Sequence, residues 1–264
     1  MITHLSPSTA QSYKKCSKAV YFQKVLGIPN ETGYAATGFG SAMHEAIEKL
    51  FRNKMQETKI TLDEFRAKFR DAYAQYSQKT TVWKEDSVEH LLEQGNLACE
   101  GFYKYWYDRF EPEAVERRFV IDRGEGNLPI VTIADLITKD GKIIDWKFGR
   151  SSRPGEYILN MATYAKCYLI EYGCLPEEVV IVSCKWSRRK QENGKYKHFF
   201  AGYQSTILPV TMDWIKYADS VYADVENGIK QGVWVTAADG NGLCKECWYR
   251  KIGKCNVVLL EGKA

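Results

Sequence analysis

Residues 133–147 read Ile133-Ala134-Asp135-Leu136-Ile137, a turn through Asp140-Gly141, then Ile143-Ile144-Asp145-Trp146-Lys147. Two β-branched apolar runs around an Asp-Gly turn predict a β-hairpin. Each run is interrupted by one aspartate, and a buried carboxylate without a partner is expensive. On paired strands the two aspartates can meet at one end of the hairpin, with Lys147 two residues beyond the second and on its face. Phosphodiester hydrolysis uses such a set: carboxylates hold Mg²⁺ or Mn²⁺, which polarises the phosphate, and a lysine orients the attacking water or neutralises charge. The plainer alternative is a pair of strand-end turn residues and a solvated edge lysine.

Working outward, Val115–Asp122 and Ile130–Thr138 read as strands across the Gly-rich turn 123–127, and Lys142–Phe148 as a third. Pro154–Tyr172 reads as a helix ending at Gly173, followed by strands Glu178–Trp186 and Tyr196–Ser205. Pro209 opens a last helix with the apolar face Trp214, Ala218, Val221, Tyr222, Val225 and Ile229. Residues 7–110 are helical in period. One stripe is Leu62, Phe65, Phe69, Tyr73 and Tyr76; another is Val88, Leu91, Leu92, Ala98, Phe102, Tyr105 and Trp106. The expected class is α/β (α+β): a mixed sheet with helices against it. No linker or repeat divides the chain, so residues 1–264 are expected to form one domain.

The 264 residues carry 37 Lys plus Arg against 33 Asp plus Glu, a net +4 that argues by itself for neither nucleic acid nor membrane. No apolar run approaches the roughly 18 residues of a membrane span, and Met1–Ala10 lack the features of a secretory signal, so a cytoplasmic protein is expected. The basic residues Arg150, Arg153, Lys185, Arg188, Arg189, Lys190, Lys195 and Lys197 follow the second aspartate and surround the next hairpin. They can contact phosphates or form a solvated tip. Asn160 and Tyr164 are i and i+4 on one helical face. No P-loop is present, so a fused ATP-driven motor is excluded, whereas a separate helicase partner is not.

Eight cysteines in a reducing compartment are core residues or ligands. Cys244, Cys247 and Cys255 are closely spaced, and Cys16 can supply a fourth thiolate for zinc or an iron–sulfur cluster. Cys99, Cys167, Cys174 and Cys184 lack ligand spacing and are expected in the core.

Taken in order, these segments resemble the PD-(D/E)XK nuclease superfamily, in its RecB-like exonuclease branch, which includes AddB nuclease domains and CRISPR-associated adaptation exonucleases. Leu5-Ser6-Pro7-Ser8 with Tyr13 and Cys16 is similar to that branch's opening helix, Gly40-Ser41-Ala42-Met43-His44 to its G-x-x-x-H motif, and Asp135 and Asp145-Trp146-Lys147 to its catalytic strands. Asn160-Met161-Ala162-Thr163-Tyr164-Ala165 resembles its Q-x-x-x-Y-A helix, with asparagine for glutamine, and Glu116 lies where the family often has a glutamate before its first core strand. The resemblance implies a restriction-endonuclease-like core with an inserted N-terminal helical region. Residues 45–113 would then be a lid, and 240–258 a cysteine-rich segment closing on the first helix.

It further implies a metal-dependent deoxyribonuclease, an exonuclease on single-stranded or end-processed DNA, working alone or as an accessory to a CRISPR-adaptation or recombination complex. In that reading His44, Asp135, Asp145 and the Trp146 carbonyl bind Mg²⁺ or Mn²⁺, with Lys147 and Glu116 catalytic. Asn160, Tyr164, Arg150, Arg153, Arg188 and Arg189 touch DNA, and Cys16, Cys244, Cys247 and Cys255 hold a [4Fe–4S] cluster, zinc being the alternative. A DNA-binding scaffold that keeps the fold without catalysis is the reading of another class.

Overall fold

The structure is a computed structural model, and it describes residues 2–149, 154–237 and 244–256. Arg150 and Arg153 lie outside the described residues, as does part of the segment 240–258. Four helices come first: α1 (Pro7–Val20), α2 (Ala35–Met55), α3 (Leu62–Gln78) and α4 (Val88–Tyr105). Strands β1 (Pro112–Ile121), β2 (Ile130–Thr138) and β3 (Ile143–Lys147) follow, then α5 (Ile158–Tyr172), β4 (Val179–Lys190), β5 (Tyr196–Leu208), α6 (Met212–Lys230) and the short α7 (Trp248–Lys251). The expected mixed sheet is present, with order β1-β2-β3-β4-β5. Among the five described strands only β3 and β4 pair in parallel, and α5 makes the crossover that a parallel pair requires.

Local signals set the boundaries. Ser6 accepts from the Thr9 amide and Pro7 starts α1, while Thr61 and Glu64 close a capping box at α3. Helix α6 begins at Met212, not Pro209, because Thr211 in extended backbone takes the N-cap position. Leu5 lies ahead of α1 and bridges to Ile130.

Each face of the sheet carries its own core. On one, Phe51 stacks on Trp146 at 5.9 Å and Phe102 meets Trp146 edge-on at 5.0 Å, so α2, α3 and α4 seal against β3 and β4. On the other, Met161, Ala162 and Cys167 of α5 and Val221, Tyr222 and Val225 of α6 cover Ile137, Ile143, Val179 and Ile181. Gly95 lets α3 and α4 approach: a Cβ there would lie 2.0 Å from the Phe69 ring. Two expected core positions are exposed. Tyr105, the last residue of α4, is 61% exposed, because Phe102 and Trp106, one turn apart, take the inward face. Cys174 is also exposed, standing in the loop just past Gly173, whose left-handed backbone (φ 76°) ends α5; Cys99, Cys167 and Cys184 are buried as expected.

One irregularity positions the site. Val115 and Leu136 face the first core, whereas Phe119, Ile121, Ile130 and Ala134 face the second, although alternate residues of a regular strand share a face. The switch falls at Glu116, a non-glycine residue with φ 50°, between the paired positions Val115↔Leu136 and Arg117↔Ala134. Asp135 lies opposite it in that register. At the switch neither Glu116 nor Asp135 belongs to either core, and both are half-buried.

Candidate functional site

The hairpin register Leu136↔Ile144 and Ile137↔Ile143 continues to place Asp135 across from Asp145. Asp145 is fully buried. It is ion-paired with Lys147 and receives a long hydrogen bond, 3.4 Å, from the Tyr164 hydroxyl of α5. Asp135 accepts from the Trp146 amide at 2.8 Å and lies 3.5 Å from Nδ1 of His44. The His44 ring also bonds the Trp146 carbonyl and meets Phe148 edge-on at 5.2 Å. The helix α2 brings it there because Met43, Ala46, Ile47 and Leu50 bury one face, leaving Ser41, His44, Glu45 and Glu48 on the other. These four, with Lys49, Arg52, Tyr76 and Glu116, line a cavity of ≈ 670 Å³.

Donor atoms of His44, Glu116 and Asp135 lie within 4.8 Å of one another, the one such trio of His, Cys, Asp or Glu among the described residues. An imidazole nitrogen and two carboxylate oxygens suit a divalent ion of the Mn²⁺ or Mg²⁺ kind. Glu116 lies in β1, at the switch residue, ahead of the Asp135-bearing β2, and it stands beside His44 and Asp135. Asp145 stays outside the trio with Lys147, and the Trp146 carbonyl is engaged by His44.

Charge is held here at a cost. Burial and the neighbouring Asp135 push the Glu116 carboxyl up to about 7. Burial lifts Asp145 to about 6 against the pull of Lys147, and Asp135 is raised for the same reason. Burial and the Lys147 charge lower His44 to about 4, so its imidazole is neutral at pH 7 and free to ligate. For Lys147, burial opposes the charge, but Asp145 and Asp135 outweigh it and hold the pKa above the ordinary lysine value. The ammonium also lies 5.1 Å from the Tyr157 ring centroid.

Asn160 and Tyr164 share the α5 face toward this site, and Asn160 bonds Tyr164. Its Oδ1 accepts from Gln11 of α1 at 2.9 Å, so the amide is already held by protein. Gln11, Tyr157 and Phe148 carry no motif that would mark them in the sequence. Glu48 does, as i+4 from His44. Arg188 and Arg189 are exposed on the β4–β5 hairpin, past the end of β3.

Away from this site, Cys16, Cys244 and Cys247 line a cavity of ≈ 460 Å³ with Tyr34, Trp248 and Tyr249. Cys16 is a break in α1, with φ −163° and ψ 92°, and the Cys255 amide bonds the Tyr249 carbonyl at 3.1 Å.

Residues 4–252 match the family model of the PD-(D/E)XK nuclease superfamily. No curated protein matches. Among solved structures, a protein of Eubacterium rectale named "Putative exonuclease" aligns with TM-score 0.58 at 13% identity, over 99% of this chain and 91% of that one. At that identity the likeness is one of fold. The structure named SSO0001 aligns with TM-score 0.33 at 14% identity, over 88% of this chain and 89% of that one.

Proposed function

Because the chain belongs to the PD-(D/E)XK nuclease superfamily, we propose that it is a metal-dependent deoxyribonuclease acting as an exonuclease on single-stranded or end-processed DNA. The observation that carries this reading is the donor trio of His44, Glu116 and Asp135, set across one hairpin register from the Asp145–Lys147 pair. A divalent ion held by the trio, with Asp145 at its side, would polarise the phosphate and lower the pKa of the attacking water. Lys147 stays charged and neutralises negative charge developing on the phosphate. His44 presents a neutral ring fixed by the Trp146 carbonyl, and Tyr164 holds Asp145 from the α5 side. Glu116, whose carboxyl burial and the neighbouring Asp135 push up to about 7, would be held in its ionised form by the cation and serve catalysis as a metal-binding carboxylate.

Arg188 and Arg189 are the proposed DNA contacts within the described residues; of the other two expected contacts, Tyr164 is buried with its hydroxyl on Asp145 and the Asn160 amide is taken up by Gln11, so both position the site from the α5 side. Cys16, Cys244, Cys247 and Cys255 are proposed to hold a [4Fe–4S] cluster, supported by the three thiols that line one cavity. Iron, sulfide and zinc analysis of anaerobically prepared protein tests this; one zinc without iron replaces the cluster with a zinc site. Among the described residues no helix is long and apolar enough to cross a membrane.

The test of the activity is end-labelled single-stranded DNA with Mn²⁺, followed on linear and on covalently closed circular substrates. Progressive shortening of the linear form alone is expected. Cleavage that survives Asp145→Ala would remove the proposed site.

A further inference from the structure

The hairpin of β4 and β5 runs on beyond the catalytic strand. Lys147, the last residue of β3, pairs in parallel with Ser183, and β4 continues to Lys190. Arg188 is five residues past Ser183, about 17 Å along the strand at roughly 3.3 Å per residue. There the hairpin and the loop before α4 enclose a cavity of ≈ 450 Å³ lined by Lys84, Glu85, Arg188, Lys195, Tyr196 and His198. Three of these six are permanent cations. The one carboxylate among them, Glu85, lies 3.3 Å from His198 Nδ1.

The cations are arranged rather than merely abundant. The Arg188 guanidinium lies 3.9 Å from the Tyr196 ring centroid, which fixes its plane and leaves its forked donors directed by the ring. Arg188 pairs with His198 across the hairpin and Lys190 with Tyr196, so these four share one face. Lys84 reaches the cavity from a separate element and adopts φ 53°, a backbone state that is costly for a side-chain-bearing residue. Lys84 also borders the cysteine cavity, its ammonium 6.0 Å from the Tyr34 ring centroid, so this one cation is shared between the two cavities.

We propose that this cavity is a second binding site, for a backbone phosphate of the nucleic-acid strand whose scissile phosphate sits at the trio. The proposal rests on the nuclease reading and adds a register to it. At the roughly 3.4 Å per nucleotide of a stacked strand, the 17 Å from the level of Lys147 to Arg188 is already about five nucleotides, and the trio lies farther back, at the level of Asp135 and Asp145. Lys84, Arg188 and Lys195 hold the strand at that distance, and chains too short to span it lose the contact.

Fluorescence polarisation with 5′-fluorescein oligothymidylates of 4 and 16 nucleotides, in the Asp145→Ala background with Mn²⁺ so that the trio keeps its ion and nothing is cut, tests it. Arg188→Ala combined with Lys195→Ala is expected to weaken binding of the 16-mer about tenfold and leave the 4-mer unchanged. The slope of log affinity against log salt for the 16-mer should fall by about 1.4, two contacts at roughly 0.7 each. Equal weakening for both lengths, or an unchanged 16-mer slope, overturns the proposal. Lys84→Ala, on a different element, must reproduce the length dependence. Because binding is read without turnover, absent cleavage by the wild type would count against the nuclease reading and leave this result standing.

Discussion

Glu226, buried, and Glu116, half-buried at the rim of a cavity, are both partly or wholly withdrawn carboxylates, and the protein treats them in opposite ways. Glu226, 2% exposed on α6, is ion-paired with Arg123, accepts from the Leu128 amide at 2.6 Å and lies 3.2 Å from the Lys230 ammonium. Burial opposes its charge, but these donors outweigh burial and hold its carboxyl below the usual range. Glu116 has only Arg52 pulling its pKa down, with Asp135, Glu48 and Asp145 all pushing it up. A carboxylate with its partners supplied by the fold ties turn 123–128 to α6. One crowded by other carboxylates stores a cost that a cation would relieve. The contrast separates a structural charge from a functional one more clearly than burial does.

Lys147→Ala should lower kcat by about 10²–10³, read in single-turnover cleavage, with the circular dichroism spectrum unchanged; a smaller loss would return Lys147 to a purely structural pairing with Asp145. Glu226→Gln should cost about 3 kcal/mol of stability, since it leaves the Arg123 charge poorly compensated in a buried setting. Denaturant unfolding measures that loss, and cleavage by the folded variant should be unaffected. Gly95→Ala should cost about 2 kcal/mol by overpacking against Phe69, a control with no charge in it.

The smallest effect is the most diagnostic. Because the folded pKa of Glu116 lies above that of the unfolded chain, the folded state resists its ionisation. In the metal-free protein this erodes stability as pH rises from about 4.5 to about 7, the reverse of Glu226, whose contribution is present above the unfolded carboxylate pKa and lost as pH falls through its lowered folded value. Glu116→Gln should therefore stabilise the metal-free protein at pH 8 by about 1 kcal/mol, and the gain should disappear near pH 4. The same variant should lose the rise in Tm that Mn²⁺ gives the wild type. No gain at pH 8 would mean that Glu116 already has a partner.

The hairpin of Asp135, Asp145 and Lys147 was legible because strand period and turn chemistry are local, and the observed register keeps the two aspartates opposite. The helix–sheet–helix–hairpin–helix order was legible for the same reason. Glu116 was legible only through resemblance, and its place was not: nothing local announces a left-handed residue inside Pro112–Ile121 where the strand exchanges faces. Glu226 escaped notice because it shares the helical face of Tyr222 and Val225, and its partners Arg123 and Leu128 are about a hundred residues away. Cys174 and Tyr105 were assigned to the core from type and period, but both stand at helix ends, where the chain turns away.

By itself the sequence determined the elements, their order and the pair of interrupted strands, since periodicity, caps and turns act within a few residues. Which carboxylates meet His44, which one is neutralised by a cation and which is left costly were decided only by tertiary structure. Those outcomes depend on distances between segments far apart in the chain and on how much water each group loses when the two cores close.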